Sequence, residues 1–596
     1  MKIGLPDSRW SPLLIALTLA ILSGCLQLDY IQYDPALPGE EIRIIGNGFG
    51  DREPADQVLY DGEPIEIVSW ANTEITALLP AEKPEGIYPV QVVHQTEATR
   101  SILHTISSDI PFGMSGFTVT ANANNILSAI VTFETRFPAW PSVEVDEGVS
   151  DAWTVPATGI LTPSPGTFHQ VAVIGLHAEV PCTITATATD GETIVRESGV
   201  FMPEPLPGTF PPIEITVKNS EEMEPGLTLF AANRVTGLLE EGAIYAVDAQ
   251  GEIVWYHDPG GGVILPVTRL EDGNFIYLWE DSILRLDSAI VEIDILGNMV
   301  NRWTPEDLGV DAFHHDVIEL PNGNLMTLSP EMRGISGYPG HNTYNVVGDM
   351  IVEFDRDGRT VDRFSLFDVL DPYRIPSRES FDYPYWSFLY GSTVKDWTHS
   401  NAVVFDPADG AVIVSCRHQD LVFKVDRASG ELLWVIGEDL PDTAGDDAWP
   451  FLPLAGEGLL PSHQHAPMLL PDGNLILYDN GNTRLEPFSR AVEYALDFNV
   501  MQIAQAWEWI DPDYEPPLYA YFLGDADLLP GGTVLVADAG IKNESPIQLW
   551  MHFVEVTQRD NEKVWEMTIR DSNAYIGFSG YNAQRIGSLY PPAKQD

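Results

Sequence analysis

From Leu28 to about residue 105, apolar and polar side chains alternate, interrupted often by Gly and Pro. That period of two predicts short strands with one buried face, as in a small β-sandwich. Residues 107 to about 205 repeat the pattern. Phe117 to Thr120, Ala129 to Glu134, Val143 to Val145, His169 to Leu176 and Thr183 to Thr189 each alternate, predicting a second sandwich in which His169 and Cys182 are packed rather than reactive. The stretch Met202-Pro203-Glu204-Pro205-Leu206-Pro207-Gly208, followed by Pro211-Pro212, lacks the N–H donors of a ladder, so 206–220 reads as a linker.

From about 221 the chain becomes periodic: a strand ending in Asp, a turn, two further strands, and a Gly-containing hairpin. The strand that ends in Asp recurs as Ile244 to Asp248, Ile290 to Asp294, Ile351 to Asp355, Val422 to Asp426 and Val492 to Asp497, with a blurred sixth copy around Phe553 to Val556. Six four-stranded copies predict a six-bladed β-propeller over 221–596, with Leu227 to Ala232 as the strand closing the ring. Five or seven blades are the neighbouring counts, since the last copy is blurred. The predicted fold class is all-β: a propeller preceded by two immunoglobulin-like β-sandwich modules, at 25–105 and 106–205.

The first 24 residues stand apart. Lys2 and Arg9 precede the apolar run Leu13 to Leu22, too short to span a bilayer, and Leu22-Ser23-Gly24-Cys25 follows. The order resembles a bacterial lipobox, which implies an export signal over 1–24, acylation of Cys25 and a lipid-anchored mature protein on the periplasmic or cell-surface face of the outer membrane. Only Cys182 and Cys416 remain, far apart in sequence, so no disulfide framework is expected. Asp and Glu number 88 against 31 Lys and Arg, a net charge of −57. Such a surface repels phosphate backbones, which excludes nucleic-acid binding. Oligomeric state is not legible.

The chemistry lies in the repeats. His315 and His465 each stand eight residues before a hairpin glycine, Gly323 and Gly473. His399 stands eleven before Gly410 in a copy whose hairpin is longer. Innermost propeller strands line one channel, so these three imidazoles are expected to converge. Asn401, two residues on, shares a strand face with His399. Folding about a turn near Ala408 sets Arg417 opposite His399, and folding about Asp472-Gly473 sets Asn480 opposite His465. Asp316 is turned away from His315 by alternation. A guanidinium, carboxamides and neutral imidazoles in one pocket suit a small oxyanion: Arg offers a planar fork to sulfuryl or phosphoryl oxygens, one imidazole attacks, and another moves a proton.

At these residues a family resemblance appears. His315-Asp316-Val317 with Leu320 to Asn324, Asp396 to Asn401, Ser415 to Gln419, Gln464-His465-Ala466, Asp479-Asn480-Gly481 and Gln584 to Pro591 resemble the bacterial arylsulfate sulfotransferases, over about 107 to 596. The resemblance implies a six-bladed propeller that moves a sulfuryl group from a phenolic sulfate donor to an acceptor phenol without the nucleotide donor PAPS, by a ping-pong route through a sulfohistidine. Carried over by motif, His465 is the nucleophile, His399 and His315 handle protons or stabilise charge, and Arg417 and Asn401 hold the sulfuryl group. His314 is the alternative to His315. Asn480 and Trp397 complete the expected substrate-binding set. Pro38 to Gly50, Val58 to Gly62 and Gly86 to Val92 likewise resemble an IPT/TIG module, which implies a spacer or binding domain.

No cofactor and no metal are expected. No lysine follows a glycine in a P-loop, neither His-Glu-x-x-His nor Gly-x-Ser-x-Gly occurs, and no motif points to ATP, PAPS or a serine hydrolase. Phe381, Tyr383, Tyr385, Trp386, Phe388, Tyr390 and Trp397 crowd the segment before His399, as a stacking wall for an aryl ring or as ordinary loop packing. Two competing readings are a non-catalytic, lipid-anchored binder of a glycan or protein, and a tri-histidine metal site, the latter disfavoured by the Arg417 cation.

Overall fold

The computed structural model describes residues 26–593, apart from residues 33, 109, 149–150, 238, 282–286, 338–342, 441–448 and 545–546. The signal segment 1–24 and the expected acylation site Cys25 lie outside the described residues. No helix among those described is long and apolar enough to cross a membrane.

The chain is all-β, with an immunoglobulin-like N-terminal module. In that module the inward residues of the alternating strands, among them Ile42, Ile44, Val58, Ile75, Val90 and Val92, form one fully buried core. The segment that follows, expected as a second sandwich, departs from the predicted strands at one point. Ala129 to Glu134 and Val143 to Val145 belong to a single strand, Asn125–Asp146, not two. Its first half pairs with Gly166–Ile174 and Met114–Asn122 and its second half with Cys182–Thr189, because alternation runs on through an irregularity between Glu134 and Ala139. Hydrogen bonds tie the parts together: Gln32 to Glu134 at 2.8 Å between the N-terminal module and this segment, and Asn125 to the Tyr256 carbonyl at 2.9 Å from this segment into the repeats.

Beyond these, the described residues form six sheets of four or five strands. Five begin with Val263–Arg269, His314–Glu319, Ser400–Phe405, His465–Leu469 and Asp525–Leu528. In the remaining sheet the C-terminal strands Ile576–Ser579 and Ala583–Ile586 pair with Leu227–Thr236. First strands of successive sheets touch, and Ala583–Ile586 touches Val263–Arg269. The recurring aspartates are turn formers: Asp248 Oδ1 accepts from the N–H groups of Gln250 and Glu252, and Asp294 and Asp355 repeat this geometry in the next two sheets.

Two boundary expectations fail. Ile213–Lys218, placed in the 206–220 linker, is a strand: it alternates strictly once past Pro211-Pro212 and hydrogen-bonds Lys563–Ile569 at the edge of the last sheet. The repeat region therefore starts at 213, not 221. Leu227 to Ala232 does not close the circuit alone. It receives the C-terminal strands, while Ile213–Lys218 ties the last sheet to the start of the region.

Candidate active site

Each histidine-bearing first strand is irregular where it begins. His314 pairs with Leu328 but Val317 with Thr327, so His315 and Asp316 bulge from the ladder. Similar register shifts occur between Ser400 and Ala402 and between His465 and Met468. The backbone is left-handed at His315 (φ 61°), His399 (φ 47°) and Ala466 (φ 45°), a costly conformation for residues with a Cβ that clusters at functional sites. The bulges aim the imidazoles of His315, His399 and His465 into one cavity of about 750 Å³. Asp316 faces a second cavity at the other end of the same strands.

The rings sit close together. His315 and His399 have centroids 4.9 Å apart, and Tyr581 lies beneath, 6.3 Å from His315 and 6.0 Å from His465. His465 Nδ1 is 2.6 Å from Asn480 Oδ1. Both amide hydrogens of Asn480 go to the carbonyls of Ala520 and Leu523, so Oδ1 can only accept and His465 must carry its proton on Nδ1. Its Nε2 lone pair is left to face the cavity. Burial, then the positive charge of Arg417, hold His465 well below the ordinary histidine pKa, so the ring is neutral. His399 Nδ1 is 2.6 Å from the buried carboxylate of Asp396, a dyad suited to taking and returning a proton.

Arg417 follows from the predicted pairing: its N–H donates to the His399 carbonyl. Its guanidinium donates to His418 Nε2 at 2.9 Å and to the Tyr521 carbonyl at 3.2 Å, while Nε is buried without a hydrogen-bond partner among the described residues. His418 Nδ1 in turn bonds the Asp396 carbonyl at 3.0 Å. A buried, incompletely satisfied cation in this wall is a ready site for an anion. Asp396, His399 and His418 present atoms at metal-ligand spacing, but His418 spends both ring nitrogens on the Asp396 carbonyl and Arg417.

Three expected substrate contacts are not on the cavity. Trp397 is buried, stacked on Phe367 at 4.9 Å with its indole N–H on the Arg374 carbonyl. Asn401 is fully buried and donates to the Gln464 carbonyl at 2.7 Å, and Asn480 is spent on His465. Both asparagines position histidine-bearing strands, because the bulges that aim the imidazoles inward leave these carboxamides between sheets. Of the aromatic segment, Tyr383 and Tyr385 line the cavity, whereas Phe381 and Trp386 are packed beneath it. His314 is buried against Asp349 and Trp386, away from the cavity. Sequence reasoning missed His418, His463, Ser380, Tyr519 and Tyr521. Only the two histidines left a signal, as neighbours of Arg417 and His465.

Comparison with known proteins adds a family context. A family model described as arylsulfotransferase (ASST) matches residues 213–578, and an IPT/TIG domain model matches 34–108. Arylsulfate sulfotransferase AssT of Escherichia coli O6:H1 is 26% identical over 274 residues, 37% of this chain and 43% of that protein. The AssT of Lelliottia amnigena is 24% identical over 331 residues, 44% of this chain and 52% of its own length. The chain thus spans about half the length of these curated relatives. Among solved structures, an auxiliary nutrient binding protein from Bacteroides ovatus aligns with 91% of this chain and 85% of its own at 10% identity, with a TM-score of 0.24 that carries no argument.

Proposed function

The chain belongs to the arylsulfotransferase family, and on that footing we propose that it moves a sulfuryl group from a phenolic sulfate ester to an acceptor phenol, without PAPS, through a sulfohistidine at His465. The observation that carries this reading is the meeting of His315, His399, His465 and the buried Arg417 on one cavity. In the first half-reaction the Nε2 lone pair of His465 attacks sulfur, the S–O bond to the aryl group breaks, and the departing phenolate takes a proton from the Asp396–His399 dyad or from His315. Arg417 holds the sulfuryl oxygens as the charge on them shifts, a role worth about 10²–10³ in rate for a single donor. In the second half-reaction the acceptor phenol returns its proton to the same histidine while its oxygen takes the sulfuryl group from His465. Tyr383 and Tyr385 offer faces to the aryl ring.

We read the six sheets as blades of a six-bladed propeller that holds these imidazoles on its axis, and the protein as an exported lipoprotein anchored through Cys25. The decisive experiment is intact mass after incubation with an aryl sulfate and no acceptor. A gain of one SO₃ group per chain, mapped to His465 and absent from His465→Ala, is expected. No gain, or an unchanged gain in His465→Ala, rejects the reading.

A further inference from the structure

The wall of the histidine cavity holds a second constellation, which sulfuryl transfer does not use. Ser380 Oγ lies 2.8 Å from His463 Nε2, and His463 Nδ1 lies 2.8 Å from Asp420 Oδ1. Asp420 also accepts the backbone N–H of His463 at 2.6 Å, which fixes the imidazole against the carboxylate. A carboxylate can only accept, so Nδ1 carries the proton and Nε2 is an acceptor for the hydroxyl hydrogen of Ser380. Ser377 Oγ, which also lines the cavity, accepts the Ser380 backbone N–H at 3.2 Å and is a second acceptor for the Ser380 hydroxyl at 3.1 Å, so rotation of the hydroxyl to His463, the shorter contact, arms the nucleophile.

The three residues come from three places: a short helix in the insertion before His399, the turn after Val412–Cys416, and the loop entering His465–Leu469. Both Ser380 and His463 are more than nine-tenths buried, yet both line the cavity. His463 has a left-handed backbone (φ 52°), as does Asp420 (φ 50°), so two members of the set are held in strained conformations. Burial, outweighing Asp420, holds His463 below the ordinary histidine pKa, and so in its proton-accepting form near neutrality. Arg417 lines the same cavity, and its charge bears on His463 as well. Such a set is identified by geometry and role rather than by order in the chain, and the absence of a Gly-x-Ser-x-Gly turn does not bear on it.

We propose that Ser380, His463 and Asp420 form a nucleophilic triad that cleaves aryl carboxylic esters, an activity separate from sulfuryl transfer in the same cavity. Ser380 Oγ bonds to the ester carbonyl carbon as its proton passes to His463 Nε2, and Arg417 faces the developing oxyanion. The tetrahedral intermediate collapses with cleavage of the bond between the acyl carbon and the phenolic oxygen, and the phenol leaves with the proton from His463. Water, activated by the same histidine, then releases the carboxylic acid and restores Ser380. Asp420 is a positioning residue that fixes the tautomer of His463.

The test uses the full chain with 4-nitrophenyl acetate and a fluorophosphonate probe, read by intact mass and peptide mapping. The expected result is one acetyl or phosphonyl group on Ser380, retained in His465→Ala and lost in Ser380→Ala, with thermal melting confirming that each variant is folded. Asp420→Asn is expected to slow Ser380 labelling about 10²–10⁴-fold, and labelling of the wild type is expected to fall only below pH 6.5. A wild type that is not labelled, or is labelled on His465 or elsewhere instead of Ser380, overturns the triad. Because the probes carry no sulfuryl group, that failure leaves the aryl sulfate mass experiment to stand or fall alone.

Discussion

His465 and Asn480 are locked as donor and acceptor: the imidazole Nδ1–H has one acceptor at 2.6 Å, and the carboxamide cannot rotate without abandoning two carbonyls. A residue outside the cavity thus decides which nitrogen of His465 meets the substrate. Asn480→Asp keeps the shape and the acceptor but adds a negative charge beside Nδ1. The charge favours imidazolium, raises the His465 pKa, and moves the acid limb of sulfohistidine formation to higher pH. A pH–rate profile with its acid limb unmoved contradicts this assignment.

The wild-type limb has a definite place. Burial and Arg417 both lower the His465 pKa, and a base with a lowered pKa remains unprotonated below the usual value. Single-turnover sulfuryl uptake is therefore expected to be flat between pH 8 and 6.5 and to decline only at lower pH. Arg417→Gln removes both a sulfuryl contact and a positive neighbour. It is expected to reduce turnover about 10²–10³-fold while shifting the residual acid limb upward. A normal turnover rate in that variant contradicts the role of Arg417.

Trp397 separates packing from binding. Its ring stacks on Phe367 and its N–H is spent on Arg374, so Trp397→Phe loses a buried hydrogen bond worth about 1–3 kcal/mol. The expected outcome is a lower Tm with KM for aryl sulfate close to wild type. A raised KM at unchanged Tm would return Trp397 to the substrate.

These cases mark how far the sequence could be read. Hairpin glycines and repeat spacing locate the first strands, so His315, His399 and His465, and Arg417 opposite His399, could be brought to one cavity by counting from turns. Bulges break that counting. His465 pairs with Tyr478 in the ladder, yet its side chain reaches Asn480, and the extra residue near Asn401 turns that carboxamide between sheets. Ser380, Asp420 and His463 share no register because a short helix, a turn and a loop of three different segments carry them. Ile213–Lys218 was hidden by the prolines before it, which end a linker without preventing an edge strand from starting.

His177 joins the segment before the repeats, through Glu147, to the first repeat, through Asp248. Its Nδ1 lies 2.7 Å from Glu147 and its Nε2 3.6 Å from Asp248, and the Asp248 and Glu147 carboxylates raise its pKa to about 10. The folded state binds this proton more tightly than the unfolded chain, so the stabilisation is complete below about pH 6.5 and is lost as pH rises through about 10. His177→Gln is expected to lower Tm at pH 6 to 7, with the difference from wild type shrinking steadily as pH rises from about 6.5 to about 10. A difference that is constant with pH rules out the ionic origin.

Asp316, Asp525 and Asp527 supply the opposite sign at the other end of the first strands. All three line the second cavity, where burial raises Asp316 and Asp527 to about 7, and burial with the nearby Asp527 holds Asp525 well above the ordinary carboxyl range. The folded state here holds protons that the unfolded chain releases near pH 4. Stability from these groups therefore falls as pH rises from about 4 to about 7, and at pH 8 the native state carries their desolvated charge. Asp527→Asn removes one ionisable member at nearly constant volume. At pH 4 both forms are neutral and their melting temperatures should coincide. The variant should become the more stable form as pH rises, by roughly 1–4 kcal/mol at pH 8, and the gap should stop growing above pH 7 to 8. An Asp527→Asn protein less stable than wild type at pH 8 would mean that its carboxylate is compensated where it lies.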